Sequence, residues 1–253
     1  MDTPSDVVGR VGSVLRALAA AEPDGATTSG LARGTGLARP TVHRLLSSLL
    51  VEGMVDRDGA TGRWLLGPEL YLLGAAAQRR YDVTALAQPH VRRLSLTTGE
   101  SAFLSARRGD ETVCLVREDG SFPIRSHVLH EGIRFPLGVA SAGLVVLAHL
   151  TDAEVEAFLD RHDLTAAYGA AHAPDALRAR VRATRETGWA VNPGLLVEGS
   201  WGMGAAVFDG DGRPAWALSL TGIEQRFGPA RQPELGALLL HEAHELTRAL
   251  ARR

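Results

Sequence analysis

Residues 31 to 50, LARGTGLARPTVHRLLSSLL, constrain this chain more than any other stretch. A segment rich in Gly, Thr and Pro passes directly into Val42, Leu45, Leu46, Leu49 and Leu50 at helical spacing. Gly36 suits a left-handed turn residue, and Pro40 sits where a first helical turn tolerates a missing N–H. The spacing predicts an amphipathic helix over about 39–52, entered through a tight turn.

Two packed helices joined by such a turn need a small residue where they touch, a Gly in the turn and apolar residues on the inner side of the second helix. Ala32, Gly36, Val42 and Leu45 meet these requirements, so residues 28–47 read as a helix-turn-helix. An earlier helix is marked by Val7, Val8, Val11, Val14, Leu15 and Leu18 and stops at the turn EPDG. Thr27 or Thr28 can cap the helix between, although Gly30 and Gly34 within it cost about 1 kcal/mol each relative to Ala. Met54 to Arg57 and Arg63 to Leu66 then read as two short strands around a Gly-containing turn. Three helices and a hairpin complete a winged unit over residues 5–67.

Burial of Val42, Leu45, Leu46 and Leu49 turns Arg39, Thr41, His43, Arg44 and Ser47 outward near a helix N-terminus, the end that enters a major groove. Arg44 can bond a guanine edge bidentately, while Arg39, Thr41 and Ser47 can hold phosphates or bases. Arg57 and Arg63 flank the hairpin tip as wing contacts, with Asp56 and Asp58 beside them opposing DNA. The alternative is a three-helix domain that binds protein and whose Arg-bearing face is simply solvated. The basic excess in this unit is small, so tight DNA binding calls for a dimer that doubles the phosphate contacts.

At 253 residues, 45% apolar and 22% charged with a net charge of -2, the chain is a globular protein with room for two domains, and its charge names no partner. Every basic side chain counted as Lys or Arg is Arg. Cys114 is the only cysteine, which excludes an intrachain disulfide. The start MDTPSDVVGR lacks the pattern of a signal peptide, and GVASAGLVVLAHL is too short to span a bilayer, so a cytoplasmic protein is expected.

Beyond the hairpin, apolar spacing predicts a helix from Pro68 to Tyr81, a linker over 68–85, and another helix from Leu86 to Thr97. Short strands are expected at SAFLSAR, TVCLVRE, PIRSHV, WAV, GMGAAVFD and PAWALSLTG, with helices at about 140–150, 152–162, 175–187 and 231–251. Strands and helices mixed without regular alternation predict an α+β domain over 86–253 with a mainly antiparallel sheet.

The segment GLARPTVHRLLSSLLVEGMVDRDGATGRWLLGPEL resembles the winged helix-turn-helix of IclR-type bacterial transcriptional regulators. The likeness continues through LAQPHVRRLSLTTGESAFLSARRGDE, FPLGVASAGLVVLAHL, ETGWAV, PAWALSLTG and RFGP, covering nearly the whole chain in the family's order. It implies a DNA-binding domain, a linker helix and a GAF-like effector-binding and oligomerisation domain, in a dimer or pair of dimers on operator DNA. It also implies an effector pocket at Gly138, Val139, Ala140 and Ser141, at Asn192, Gly202 and Met203, and at Ser219 and Thr221. Where many members carry an acidic run this chain has NPGLL, and where a Cys is common it has Gly202. With Trp201 and Met203 adding apolar bulk, the resemblance implies a larger or more apolar effector than a two- or three-carbon keto acid.

Other signals are weaker. In HEAHEL, His241 and His244 are three apart rather than the four that a zincin helix needs, so a solvated helix face is expected. His127 and His130 beside Glu131 have no third ligand at a diagnostic spacing and read as rim residues. Cys114 falls in an apolar strand, and neither a Gly-x-Ser-x-Gly elbow nor a phosphate-binding loop accompanies it. No cofactor or metal is expected. A small-molecule-processing enzyme and a ligand-independent DNA-bound scaffold stand as the alternatives to a ligand-responsive regulator.

Overall fold

The computed structural model describes residues 6–78, 83–124 and 128–252. The chain divides into two units, Met1–Tyr81 and Asp82–Arg253.

In the first unit, α1 (Val7–Ala19) starts at Asp6, whose carboxylate accepts from the Gly9 amide at 2.7 Å. The next helix, α2 (Thr28–Thr35), is capped by Thr27 Oγ1, which accepts from Gly30 N at 3.1 Å, and ends at Gly36 in the left-handed region with φ 69°. It is followed by α3 (Arg39–Val51), with Pro40 in its first turn. The hairpin strands β1 (Val55–Arg57) and β2 (Trp64–Leu66) pair antiparallel, and Trp64 also bridges to Ala26 as a third short ladder.

One core holds this unit together: Val14, Leu18, Leu31, Val42, Leu46, Leu49, Val55 and Trp64. Trp64 joins three elements, because its ring is buried on β2 while its Nε1 donates to Thr28 Oγ1 at 3.0 Å. Leu45, expected inside, is only partly buried, and Leu50 is 40% exposed at the far end of α3, where the core has run out. After the hairpin, α4 (Pro68–Gln78) carries Tyr71, Leu72 and Leu73 exposed; residues 79–82 of the expected linker lie outside the described residues.

The second unit is built on a six-stranded sheet in which every neighbouring pair is antiparallel. It contains α5 (Val83–Thr98), β3 (Ser101–Arg108), β4 (Glu111–Glu118), β5 (Arg134–Pro136), α6 (Ser141–Ala148), α7 (Asp152–Arg161), α8 (Thr165–Tyr168), α9 (Pro174–Thr187), β6 (Trp189–Pro193), β7 (Ser200–Phe208), β8 (Pro214–Ile223) and α10 (Gln232–Ala251). The strand order is β5-β4-β3-β8-β7-β6. The α+β architecture with an antiparallel sheet is therefore as the sequence predicts. The strand expected at PIRSHV is not found: Pro123 and Ile124 lie in a bend, 125–127 are outside the described residues, and Arg134–Pro136 pairs with β4 instead. Phe135 there packs on the core.

Period-two alternation splits the sheet's side chains between two cores. Met203, Ala205, Val207, Leu218 and Leu220 face α5 and α10, while Ala190, Ala206 and Ala217 face α6, α7 and α9. Two buried ion clusters fasten the first layer. Glu242 of α10 bonds Arg93 Nε and NH2 at 3.0 and 2.7 Å and lies 2.6 Å from His90 Nδ1, both on α5. Buried Glu100, before β3, pairs with Arg226 and, at 2.8 Å, with Arg231, tying the start of β3 to the entry of α10.

Candidate DNA-reading face and candidate effector pocket

Helical geometry at 3.6 residues per turn leaves one face of α3 to solvent once Val42, Leu46 and Leu49 are buried. Arg39, His43 and Arg44 are exposed on that face, while Thr41 and Ser47 are half-buried. Ser48, not singled out from the sequence, is also exposed, and its hydroxyl donates to Arg44 O at 3.1 Å. Thr41, Arg44 and Ser48 line a cleft shared with Val7 and Arg10 of α1, so Arg10 stands beside the candidate reading residues.

The wing arginines are partly engaged within the protein. Arg57 stacks over the Trp64 ring, its Cζ 5.4 Å from the centroid, and its Nε donates to Gly62 O at 3.4 Å. Arg63 NH1 donates to Gly25 O at 3.0 Å, pinning the wing to the turn before α2. Asp58 is a structural residue of the wing tip: its Oδ1 accepts from Thr61 Oγ1, Thr61 N and Ala60 N at 2.7, 2.6 and 3.1 Å. Those hydrogen bonds, the Thr61 hydroxyl first, hold its carboxyl below the usual carboxylate range.

In the second unit, the start of α6 lies directly on β7. A Cβ at Gly204 would stand 3.1 Å from Ser141 O, and one at Gly202 would stand 3.2 Å from Ser141 Oγ, so these glycines permit the approach. Ala140 in the cap position offers no side-chain cap to the first N–H groups of α6, which leaves the positive end of the helix facing the adjoining pocket. Ala140, Ser141, Asn192, Gly202 and Thr221 line that pocket, with Val128, Leu129, Leu196, Ser200 and Trp201 completing it. Its present opening measures about 20 Å³, room for a single water.

The remaining residues that the resemblance carried into the pocket fall elsewhere. Met203 belongs to the opposite face of the sheet, buried with α5 and α10, because it is one residue out of phase with Gly202. Gly138 and Val139 hold the loop entering α6: Val139 O accepts from Asn192 Nδ2 at 2.7 Å, and Gly138 O from Arg180 NH1 at 3.2 Å. Ser219 lies opposite Gly204, on the pocket face of β8. Among the described residues, Ser219 Oγ and Thr221 Oγ1 are both buried without a hydrogen-bond partner. The Thr221 hydroxyl in the pocket wall, with Ser219 behind it on the same face of β8, and an uncapped helix start give a polar side under apolar walls, a composition that suits a small organic ligand.

The other candidates separate from these sites. Cys114 is buried, and burial pushes its thiol up to about 12, far from thiolate chemistry. His130 is exposed with Nδ1 against Glu131 O, while His127 lies outside the described residues. His241 and His244 are exposed on α10, and no group of three metal-ligating side chains occurs among the described residues. Among the described residues, no helix is long and apolar enough to cross a membrane.

Comparison with known proteins matches both units. Residues 7–59 match the family model of the IclR helix-turn-helix domain, and residues 75–248 that of the bacterial transcriptional regulator IclR C-terminal domain. The HTH-type transcriptional regulator BhcR of Paracoccus denitrificans is 30% identical over 235 residues, covering 90% of this chain and 82% of its own length. The acetate operon repressor of Salmonella typhimurium is 26% identical over 98% of this chain and 93% of its own length. Among solved structures, a regulator from Alicyclobacillus acidocaldarius superposes with a TM-score of 0.79 at 23% identity, covering 99% of this chain and 100% of that one. A homologue from Microbacterium hydrocarbonoxydans, solved with 4-hydroxybenzoate, reaches 0.75 at 23% identity, covering 96% of this chain and 100% of that one.

Proposed function

We propose, from the chain's membership of the IclR family of bacterial transcriptional regulators, that it is a ligand-responsive DNA-binding protein, and we assign the residues that do the reading and the sensing. Reading is the work of α3, with Arg44, Arg39 and His43 presented to base edges and phosphates, Thr41 and Ser47 at the margins, and Arg57 and Arg63 supporting from the wing. The observation that carries this is the burial of Val42, Leu46 and Leu49, which leaves the arginine face as the only side of α3 free to meet DNA.

Sensing, in this reading, is the work of the pocket at the start of α6. The uncapped N–H groups and the hydroxyls of Ser141, Ser219 and Thr221 suit an acceptor-bearing head group, and Leu129, Leu196 and Trp201 suit an apolar body. The 4-hydroxybenzoate held by the Microbacterium homologue has both features. The protein works as a homodimer in the cytoplasm, and the exposed Tyr71, Leu72 and Leu73 of α4 supply an apolar face for the partner copy.

The test is selection of a binding site from random duplex DNA followed by gel-shift titration at fixed salt, with and without ligands returned by a thermal-shift screen. Sequence-specific binding whose affinity moves with a ligand, with no product formed, is expected. Turnover of that ligand without specific DNA binding would support an enzyme instead.

A further inference from the structure

Among the described residues, Arg180 of α9 is a cation without a counter-ion. Its NH1 donates to Gly138 O at 3.2 Å, while Nε and NH2 are buried and have no hydrogen-bond partner. Among the described residues it makes no ion pair, and burial alone pushes its pKa down to about 10. Nearby His172 is buried too, with Nε2 unpartnered, and its imidazole is held below the usual range by burial, with the Arg180 charge adding to that. A partly buried guanidinium whose Nε and NH2 are shielded from solvent and unpartnered carries a desolvation cost that a bound anion would relieve.

The same arginine lines a cavity of about 390 Å³, separate from the pocket at the start of α6. Val191 and Trp189 reach it from β6, on the face opposite Asn192, and Leu144, Pro229 and Pro233 supply further apolar wall. Trp189 lies flat against the bare backbone of Gly236, where a Cβ would stand 2.4 Å from the ring. The cavity also touches the first turn of the twenty-residue helix α10, at Gln232 and Pro233, where no side chain caps the helix and its dipole is positive. Size, apolar walls and one cationic end are the attributes of a site for a small hydrophobic acid.

We propose that this cavity between α9, β6 and the start of α10 is a second ligand site, taking a small organic monocarboxylate whose carboxylate pairs with the Nε–NH2 edge of Arg180. Those two nitrogens are out of solvent contact, so the ligand turns the guanidinium toward itself on entry. Because NH1 of the same group holds Gly138, the loop leading into α6 is linked to occupancy of this second site. Apolar walls select a carboxylate on a hydrophobic body over inorganic phosphate, which keeps its charge hydrated.

The experiment uses the full chain with 15N-labelled tryptophan indoles, the Trp189 signal being assigned with Trp189→Phe, and titrates in benzoate, benzamide and inorganic phosphate. The Trp189 signal is expected to move saturably with benzoate and not with benzamide or phosphate. Arg180→Met, which keeps the apolar stem, should weaken benzoate at this signal by about tenfold or more. Val191→Phe fills the cavity without touching the arginine and should do the same, so it carries the test if Arg180→Met does not fold. A Trp189 signal that benzoate leaves in place, that benzamide moves equally, or that responds unchanged in the folded variants would overturn the proposal; movement of the Trp201 signal alone would place benzoate in the other pocket and overturn it as well.

Discussion

At the scale of single residues, position on a regular element separates side chains of similar chemistry into different roles. Arg44 is exposed on α3 with its guanidinium unengaged by any described hydrogen bond, whereas Arg63 is tied to Gly25 and Arg57 to Gly62 and the Trp64 ring. Arg44→Ala is therefore expected to cost about 1–3 kcal/mol of operator binding if its contact is bidentate to guanine, read by gel shift at fixed salt with unchanged thermal stability as the control. Thr221 presents the opposite case, a buried hydroxyl without a partner. Replacing it by the near-isosteric Val removes an unsatisfied group, so Thr221→Val should leave the melting temperature of the free protein unchanged or raise it, while lowering affinity for whichever effector the thermal-shift screen returns. A parallel loss of both would show that the hydroxyl serves the fold and not the ligand.

At the scale of elements, the two glycines of α2 differ. A Cβ at Gly34 would meet nothing within 4 Å, and one at Gly30 would stand 3.3 Å from Thr27 Oγ1, the capping oxygen. Gly34→Ala should stabilise the protein by about 0.5–1 kcal/mol through the reduced entropy of the unfolded chain, and Gly30→Ala by less, as measured by urea midpoints. No packing reason in the structure accounts for Gly34. The pairing of α5 with α10 makes a pH prediction. Burial works to raise the Glu242 carboxyl, but hydrogen bonds from Arg93 and His90 outweigh it and leave it below its ordinary value. A carboxylate with a depressed folded pKa contributes stability above its unfolded pKa and loses it as pH falls through the folded one. Acidification below about pH 4.5 should therefore weaken the wild type more steeply than Glu242→Gln, which should be the less stable at neutral pH; equal slopes in urea unfolding across that range would refute this.

At the scale of the whole molecule, α4 of the first unit exposes Tyr71 at 77%, Leu72 at 57% and Leu73 at 49% in consecutive positions. One copy of the winged unit has a small basic excess, and the proposed homodimer would double its phosphate contacts. Leu72→Asp is expected to shift the protein from dimer to monomer in analytical ultracentrifugation and to weaken operator binding far more than it lowers the melting temperature. A Leu72→Asp protein that sediments as a dimer would move the interface to another surface. Ligand control then requires that the effector bind the two operator-affinity states differently, with coupling typically about 1–3 kcal/mol.

Much of this was legible in the sequence because local rules act over short spans. Apolar spacing placed the helices, Gly36 the left-handed turn and Pro40 the start of α3, and the arginine face followed from 3.6-residue periodicity. The strand at Arg134–Pro136 was not legible, since a three-residue edge strand is defined by its partner β4 and not by its own composition. The family resemblance implies Met203 as a pocket residue beside Gly202, but the pleat sends the two to opposite faces of the sheet. Arg180 carried no signal at all: its charge looks like any other arginine's until α9 packs beside β6 and its Nε and NH2 are taken out of solvent. The sequence by itself thus determined most of the helices, the two-unit plan and the arginine-bearing face of α3, largely through spacing within single elements. Only the tertiary structure decided which polar groups are left buried and unpaired, because that depends on what distant segments remove from water.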